Sequence, residues 1–266
     1  MQPADVLSRP ARQPDLELCY GRPDQVADLW LPPASRAPAP LVIFLHGGFW
    51  RAAYDRGHSG PLAEALAAAG CAVCTPEYRR VGQPGGGWPG TFGDVLAAAR
   101  ALPRIVADAA PGLVGPGHAV LAGHSAGGHL ALWAAGRLGW SSAHAVISLA
   151  GVCDLAACYR QGLGQGAAGE LMGGGPDLFP DRYEEGDPMA AIPLGARVIL
   201  IHGTADDRVP CQQSSDYATA AAAAGGVARC VRLAGAGHFD VIDPLSAAWP
   251  QVLAEFLAAA GLERTR

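Results

Sequence analysis

The sequence predicts an α/β fold in which a mostly parallel central sheet carries helices on both faces. Stretches typical of strands alternate with stretches typical of helices along most of the chain, and this alternation is characteristic of parallel sheets. The predicted strand 41–45 is a continuous apolar run, as expected for a strand buried on both faces. The chain has 266 residues, of which 50% are hydrophobic. This length supports a large core in one domain, which we expect to span residues 1–266.

The predicted strands begin with two short ones that form an antiparallel edge of the sheet. A proline-rich connection over residues 32–40 then leads to the core strands. In order, the predicted strands are 16–19, 26–31, 41–45, 71–75, 119–122, 145–149, 197–201 and 228–233.

The predicted helices lie between the strands. Ser59 is placed to cap the first helix and Gly70 to end it. Thr91 and Asp94 have the spacing of a capping box, so we interpret Asp94 as a helix-start residue rather than a catalytic acid. The predicted helices are 61–69, 92–102, 130–138, 212–224 and 247–260.

Two segments stand apart from this alternation. Residues 1–14 mix charged residues with prolines and lack the apolar core of a signal peptide, so we expect a flexible N-terminus. Residues 151–193 are rich in glycine and proline with weak periodicity. A long irregular segment inside a compact domain is often a binding element, so we expect a small cap or lid insertion there.

Charge and hydropathy restrict the possible partners and location. The formal net charge is -5, and no run of basic residues is present. Nucleic acid and anionic membranes are therefore unexpected partners. No apolar stretch is long enough to cross a bilayer, so we expect a cytoplasmic protein. The expected partner is a small-molecule substrate, for the reasons given by the motifs below. The sequence gives no indication of an oligomeric state.

Residue types that are absent exclude several mechanisms. The chain contains no lysine and no asparagine. It therefore cannot use a lysine Schiff base, a Ser-Lys dyad, a P-loop lysine or a papain-type Cys-His-Asn arrangement.

The cysteines do not suggest a disulfide framework. There are 7, an odd number, scattered along the chain. Cys71 and Cys74 form a C-x-x-C pair, but side chains three residues apart on a strand point to opposite faces. We expect them to be buried thiols.

The G-x-S-x-G stretch at residues 123–127 is the strongest chemical motif. It follows a predicted strand and precedes a predicted helix, the context in which Ser125 becomes an exposed nucleophile on a tight turn. The alternative for an isolated match is a glycine turn with a solvated serine.

A serine nucleophile needs a histidine base and an acid that orients the histidine. His238 lies in a loop after the last predicted strand, and Asp206 lies just past the strand 197–201. Asp207 and Asp154 are alternative acids, and Asp154 is equally suited to capping a helix of the insertion. Asp240 and Asp243 are too close to His238 in sequence to be favoured.

The stretch His46-Gly47-Gly48-Phe49-Trp50 follows a buried predicted strand. Its glycines allow backbone N–H groups to turn toward a developing oxyanion, so Gly48 and Phe49 are candidate donors, with Ala126 as a further one.

Two roles remain open for the aromatic residues nearby. Trp50 and Phe239, together with Phe49, either line an apolar substrate pocket or belong to the core.

Other histidines are assigned structural roles or none. His46 and His124 are expected to hold loops by hydrogen bonding. The remaining histidines show no metal-binding spacing, so neither a metal nor a cofactor is indicated.

With these motifs the chain resembles the α/β-hydrolase superfamily, and within it the branch of kynurenine formamidase and small feruloyl/acetyl (BD-FAE-like) esterases. The resemblance extends from about residue 16 to the C-terminus. It differs from the H-G-G-G esterases because Phe49 replaces a third glycine. The stretches that carry it are 46–50, 77–80, 123–130, 202–206 and 237–239.

The resemblance implies a cofactor-independent serine hydrolase with Ser125, Asp206 and His238 as its triad. Such an enzyme cleaves a small ester or an aryl formamide through an acyl-enzyme. Two alternatives stay open: a kynurenine formamidase acting on N-formylkynurenine, and a non-catalytic homologue that only binds a ligand.

Overall fold

The computed structural model, which describes residues 3–34, 37–115 and 119–262, contains one eight-stranded sheet. Its spatial order is β1-β2-β4-β3-β5-β6-β7-β8. The pairs β1–β2 and β2–β4 are antiparallel, and the other five pairs are parallel. This confirms the predicted fold class. The strands are β1 (Leu16–Cys19), β2 (Val26–Trp30), β3 (Leu41–Leu45), β4 (Ala72–Pro76), β5 (Val120–His124), β6 (Ala145–Leu149), β7 (Arg197–Gly203) and β8 (Ala228–Leu233).

Helices cover both faces of the sheet. Alternate residues of β3 point to opposite sides, with Ile43 in one hydrophobic cluster and Phe44 in the other. The helices are α1 (Gly60–Ala68), α2 (Gly90–Ala109), α3 (Ala126–Leu138), α4 (Leu155–Arg160), α5 (Leu163–Met172), α6 (Pro180–Gly186), α7 (Gln212–Ala223) and α8 (Trp249–Ala259). Residues of α2, α3 and α7 belong to the first cluster, and residues of α1 and α8 to the second.

The predicted strands agree with the observed ones to within two residues at each end inside the described ranges. The helices differ more. α2 continues past Pro103 because Leu102 and Val106 on either side are both buried, and α3 begins four residues early, directly after Ser125. Gly70 ends α1 at a φ of 113°, whereas the Ser59 side chain makes no capping hydrogen bond. His118 and parts of the 32–40 connection lie outside the described residues.

The interpretation of Asp94 as a capping residue is wrong. Asp94 is the fifth residue of α2, and its side chain is only 2% exposed. Its Oδ2 accepts hydrogen bonds from the Arg79 Nε at 2.7 Å and the Arg79 backbone N–H at 3.0 Å. Gln25 and Arg22 donate to Oδ1 at 2.8 and 3.2 Å. Burial alone would raise the pKa of Asp94, but the hydrogen bonds from Arg79 and Gln25 lower it.

Asp94→Asn should therefore destabilise the fold by about 3 kcal/mol at neutral pH, because it breaks a buried pair of α2 with the loop after β4. The pKa of Asp94 is lowered by folding, so its stabilisation exists above the unfolded value of about 3.9 and is lost as the pH falls through the folded value. Denaturant unfolding should show the difference between wild type and variant shrinking in acid. Asp108→Asn on the same helix, where the side chain is 70% exposed, should change stability by less than about 0.5 kcal/mol. Equal losses in the two variants would contradict this role.

The cysteines agree with their prediction. None of them forms a disulfide, and Cys71 and Cys74 are completely buried in the two separate clusters. Burial raises the pKa of Cys71 to about 12. Both thiols act as small hydrophobic side chains.

The described part of the N-terminal segment is packed, although the sequence predicts flexibility. Residues Pro3–Ser8 form a 3-10 helix, Val6 is 1% exposed in the second cluster, and Arg9 pairs with Asp243. Among the described residues, no helix is long and apolar enough to cross a membrane. The cytoplasmic location stays a prediction.

Candidate active site

Ser125 occupies a sharp turn between β5 and α3. Its backbone has a φ of 53° and a ψ of -116°, a conformation that L-residues rarely adopt and that costs roughly 1–3 kcal/mol. A Cβ on Gly123 would lie 2.2 Å from the carbonyl oxygen of Gly127, and one on Gly127 would lie 2.0 Å from that of Leu45. Glycine is therefore required on both sides of the serine, as a nucleophile elbow demands.

Asp206 and His238 are joined by a hydrogen bond. The Asp206 Oδ2 lies 2.7 Å from the His238 Nδ1, and the carboxylate side chain is 0% exposed. Since an ionised carboxylate only accepts, Nδ1 carries the proton and Nε2 is left as an acceptor. Burial would raise the pKa of Asp206, but hydrogen bonds from His202 and His238 lower it well below its usual range.

Asp206 is held by further donors that the sequence analysis missed. Its Oδ1 accepts from the backbone N–H groups of Arg208 and Val209 at 2.8 and 2.9 Å. The His202 Nε2 lies 3.2 Å from Oδ2 and 2.9 Å from the Val209 carbonyl oxygen. Both partners are acceptors, so Nε2 is protonated, and the Ser214 hydroxyl donates to Nδ1 at 2.8 Å. His202 lies four residues before Asp206, but that spacing alone did not identify it as a hydrogen-bond partner of Asp206.

The other candidate acids have different partners. Asp154 caps α4 by accepting from the Ala157 N–H, which is the alternative the sequence left open. The Asp207 side chain is 79% exposed. Asp240 accepts from the Gly237 N–H, and Asp243 pairs with Arg9.

Ser125 and His238 line one cavity of about 180 Å³. Phe239 also lines this cavity. Trp50 does not line it but belongs to the core, the second role that the sequence left open, because its side chain is 0% exposed and packs in the first hydrophobic cluster. The remaining lining residues are Leu7, Gly48, Phe49, Tyr54, His58, His124 and Arg208.

Four of these cavity residues were not predicted: Leu7, Tyr54, His58 and Arg208. His58 is half-buried beside Tyr54 and His46. Burial is the main cause that lowers the pKa of His58 to about 4, so its imidazole is neutral at pH 7. No local motif marks these positions.

The loop after β3 has an unusual backbone. Gly48, Phe49 and Trp50 have successive φ values of 111°, 50° and 58°. A Cβ on Gly48 would lie 2.5 Å from the Cβ of Tyr54, so glycine is required there. Ala126, which follows Ser125, is the first residue of α3, and its N–H has no acceptor within the helix.

His46 and His124 hold loops, as expected. The His46 ring lies 2.8 Å from the Gly47 carbonyl oxygen and 3.0 Å from the Glu77 carboxylate. The His124 Nε2 donates to the His238 carbonyl oxygen at 2.9 Å, and burial lowers the pKa of His124 well below its usual range. His124 therefore ties the turn that carries Ser125 to the loop that carries His238.

A family model described as BD-FAE matches residues 27–220, more than half of the chain. The chain belongs to the BD-FAE family. This is an α/β-hydrolase esterase family, so the resemblance drawn from the motifs is confirmed. Kynurenine formamidase activity stays a prediction.

Curated relatives of this BD-FAE protein include plant methylesterases. A probable isoprenylcysteine alpha-carbonyl methylesterase of Oryza sativa subsp. japonica is 27% identical in an alignment of 258 positions that covers 88% of this chain and 61% of the relative. The isoprenylcysteine alpha-carbonyl methylesterase of Arabidopsis thaliana is 27% identical in an alignment of 259 positions that covers 88% of this chain and 59% of the relative. The chain thus spans about three fifths of the length of these relatives.

Solved structures share the fold of the BD-FAE chain. A truncated carbohydrate esterase from gut microbiota has a TM-score of 0.76 at 21% identity and covers 92% of this chain and 95% of its own. The Thermogutta terrifontis esterase Est2 with bound propionate has a TM-score of 0.71 at 24% identity and covers 94% of this chain and 96% of its own. These likenesses confirm the α/β-hydrolase fold.

The motif Glu77-Tyr78-Arg79-Arg80 supports the loop after β3 in this BD-FAE protein. Tyr78 stacks on His46 with ring centroids 4.2 Å apart, and its hydroxyl donates to the His46 carbonyl oxygen. Burial alone would raise the pKa of Glu77, but His46 and Arg80 lower it. The motif therefore fixes His46, which in turn contacts Gly47.

The insertion between β6 and β7 contains helices that the weak sequence pattern did not predict. They are α4, α5 and α6, with left-handed backbone inside α5 at Gly164, Gln165 and Gly166. Gly164 packs directly on the Phe49 ring, where a Cβ would be 2.5 Å from a ring carbon. The Arg51 guanidinium donates twice to Glu170 of α5, at 2.7 and 2.9 Å. The insertion thus contacts the loop after β3, and its role as a lid stays a prediction.

Proposed function

We propose that this protein is a serine carboxylic ester hydrolase in which Ser125 is the nucleophile, His238 the base and Asp206 the acid. The observation that carries the proposal is the 2.7 Å Asp206–His238 hydrogen bond, formed beside the strained turn of Ser125. Ser125 and His238 line the same cavity. Membership of an esterase family supports the same chemistry.

In the acylation step, the Ser125 Oγ attacks the ester carbonyl carbon while His238 Nε2 removes its proton. The carbonyl oxygen becomes negative, and backbone N–H groups of Ala126 and of Gly48 or Phe49 stabilise it. The intermediate collapses, the bond to the alcohol oxygen breaks, and the imidazolium returns its proton to that oxygen. Asp206 keeps the imidazole in the required tautomer throughout.

Deacylation repeats these roles with water. His238 Nε2 removes a proton from the water as its oxygen attacks the acyl carbon. The same N–H groups receive the second oxyanion, and Ser125 leaves with the proton from His238. The products are a carboxylic acid and an alcohol, so the reaction needs no cofactor.

The cavity favours a small substrate group. Its volume of about 180 Å³ is below the range of about 300–1,000 Å³ typical of sites for drug-sized ligands. Phe49 and Phe239 supply apolar surface, while neutral His58 adds one polar contact. These features fit a short-chain or aromatic ester, in line with the methylesterases among the relatives.

A fluorophosphonate probe tests the proposal and separates an enzyme from a ligand-binding homologue. We expect about one probe per chain, attached to Ser125 in the peptide identified by mass spectrometry, because only an activated serine reacts with such a probe. Competition by p-nitrophenyl acetate should slow the labelling. A chain that stays unlabelled, or that labels equally well after Ser125→Ala, would contradict the proposed nucleophile.

Specificity constants distinguish an esterase from a formamidase. We expect a higher kcat/KM for p-nitrophenyl acetate than for N-formylkynurenine. The reverse order would identify the formamidase alternative, with the same triad. Ser125→Ala in both assays shows that the two reactions share one site.

A further inference from the structure

The N-terminal segment reaches the active-site cavity. Leu7 lines the cavity together with Ser125 and His238, although the sequence predicts flexibility there. Leu7 belongs to the 3-10 helix Pro3–Ser8, whose Val6 is 1% exposed and packs in the core cluster of α1 and α8. A core residue therefore holds the turn from which Leu7 projects.

A charge pair fixes the end of this segment. Both oxygens of Asp243 accept from the Arg9 guanidinium, with Nη2 and Oδ2 2.9 Å apart. The two side chains are 18% and 10% exposed, so solvent screens the pair little. Asp243 also accepts from the Leu245 N–H at 2.8 Å, which orders the stretch that follows His238. Arg9 thus connects the segment to the loop of the proposed base.

The segment also contacts a second element that supplies a cavity residue. The 3-10 helix Pro3–Ser8 contacts the 3-10 helix Arg56–Ser59, which carries His58. Ala11 packs on Gly60 so closely that a Cβ there would lie 2.9 Å from the Ala11 Cβ. The segment therefore lies between two elements that both supply cavity residues, His58 and His238.

We propose that residues 3–9, which we name the N-terminal wall, close one side of the ester pocket, and that Leu7 limits the length of the apolar substrate group. This inference rests on the proposed ester hydrolysis. Arg9 acts as a positioning residue that holds the wall against the His238 loop. Shortening Leu7 should admit longer groups, and each additional buried methylene should raise kcat/KM about fourfold.

The test measures kcat/KM for p-nitrophenyl acetate, butyrate, hexanoate and octanoate, and for ethyl to hexyl acetates. In at least one series, Leu7→Ala should raise the ratio of kcat/KM for the longest substrate to kcat/KM for the shortest by about tenfold or more. Leu7→Trp should lower the same ratio. Leu178→Ala is the matched control, because Leu178 is 69% exposed and is not among the cavity residues.

Arg9→Gln tests the anchor. Arg9→Gln should shift the ratio of kcat/KM for long and short substrates in the same direction as Leu7→Ala. Asp243→Asn should shift this ratio by a similar factor. Arg12→Gln is the control, because Arg12 binds Asp15 and the Leu31 carbonyl instead of the His238 loop. A purely structural role would lower the unfolding temperature of Arg9→Gln without moving the ratio, and this result would overturn the anchoring.

Failure of the wall is distinguishable from failure of the proposed function. Active, folded Leu7 variants whose ratios equal the wild-type ratio in both series would contradict the wall alone. A wild-type chain that cleaves no ester and reacts with no fluorophosphonate would contradict the proposed function.

Discussion

Replacing Ser125 with alanine should lower kcat for p-nitrophenyl acetate by a factor of roughly 10⁶. The substitution removes the oxygen that we propose forms the acyl-enzyme, while His238, Asp206 and the backbone donors remain. A residual rate above that in water is expected because the oxyanion donors still act. Steady-state kinetics and the burst of p-nitrophenol measure the loss.

The fold should survive this change. Alanine is smaller than serine and faces the same backbone strain at a φ of 53°, so the unfolding temperature should stay close to that of the wild type. Ser215→Ala is the matched control, since its hydroxyl contacts the Cys211 carbonyl oxygen and the Cys230 thiol and does not line the cavity. A folded Ser125→Ala variant with the activity of Ser215→Ala would refute the mechanism.

Asp206→Asn should lower kcat by about 10⁴-fold. The carboxylate Oδ2 faces protonated nitrogens of both His238 and His202, at 2.7 and 3.2 Å. An amide nitrogen in that position would donate toward them and favour the wrong His238 tautomer, leaving Nε2 protonated and unable to act as base. KM should change much less than kcat, because Asp206 does not line the cavity.

The neighbouring aspartate provides a control with identical chemistry. Asp207→Asn changes a side chain that is 79% exposed, so kcat should stay within about twofold of the wild-type value. Thermal unfolding of both variants separates lost catalysis from lost structure. Equal kcat values for the two variants would show that another acid orients His238.

Most of the sheet was predictable from the sequence because the strands differ in apolar composition from the segments around them. The strands β3, β5 and β6 consist mostly of apolar residues, and all of their residues are buried, so no periodicity had to be resolved. The turn at Ser125 was predictable for a related reason, since Gly123 and Gly127 are required by contacts within that turn and with β3.

The remaining features depend on contacts between distant residues. Asp94 has the local spacing of a cap, but Gln25, 69 residues away, and Arg79 determine its role. Arg9 and Asp243 are 234 residues apart, so the composition of the first residues did not indicate a packed segment. Trp50 and Phe239 have similar local contexts, and only the packed structure separates core from cavity.

In the turn after β7, the backbone and the side chain of Arg208 have different functions. Arg208 lines the cavity, yet it supports Asp206 only through its backbone N–H, 2.8 Å from Oδ1. Every residue except proline offers that N–H. Position 208 is therefore a natural starting point for laboratory evolution of substrate preference, because a library there varies the charge at the mouth of the cavity and leaves the support of the acid in place.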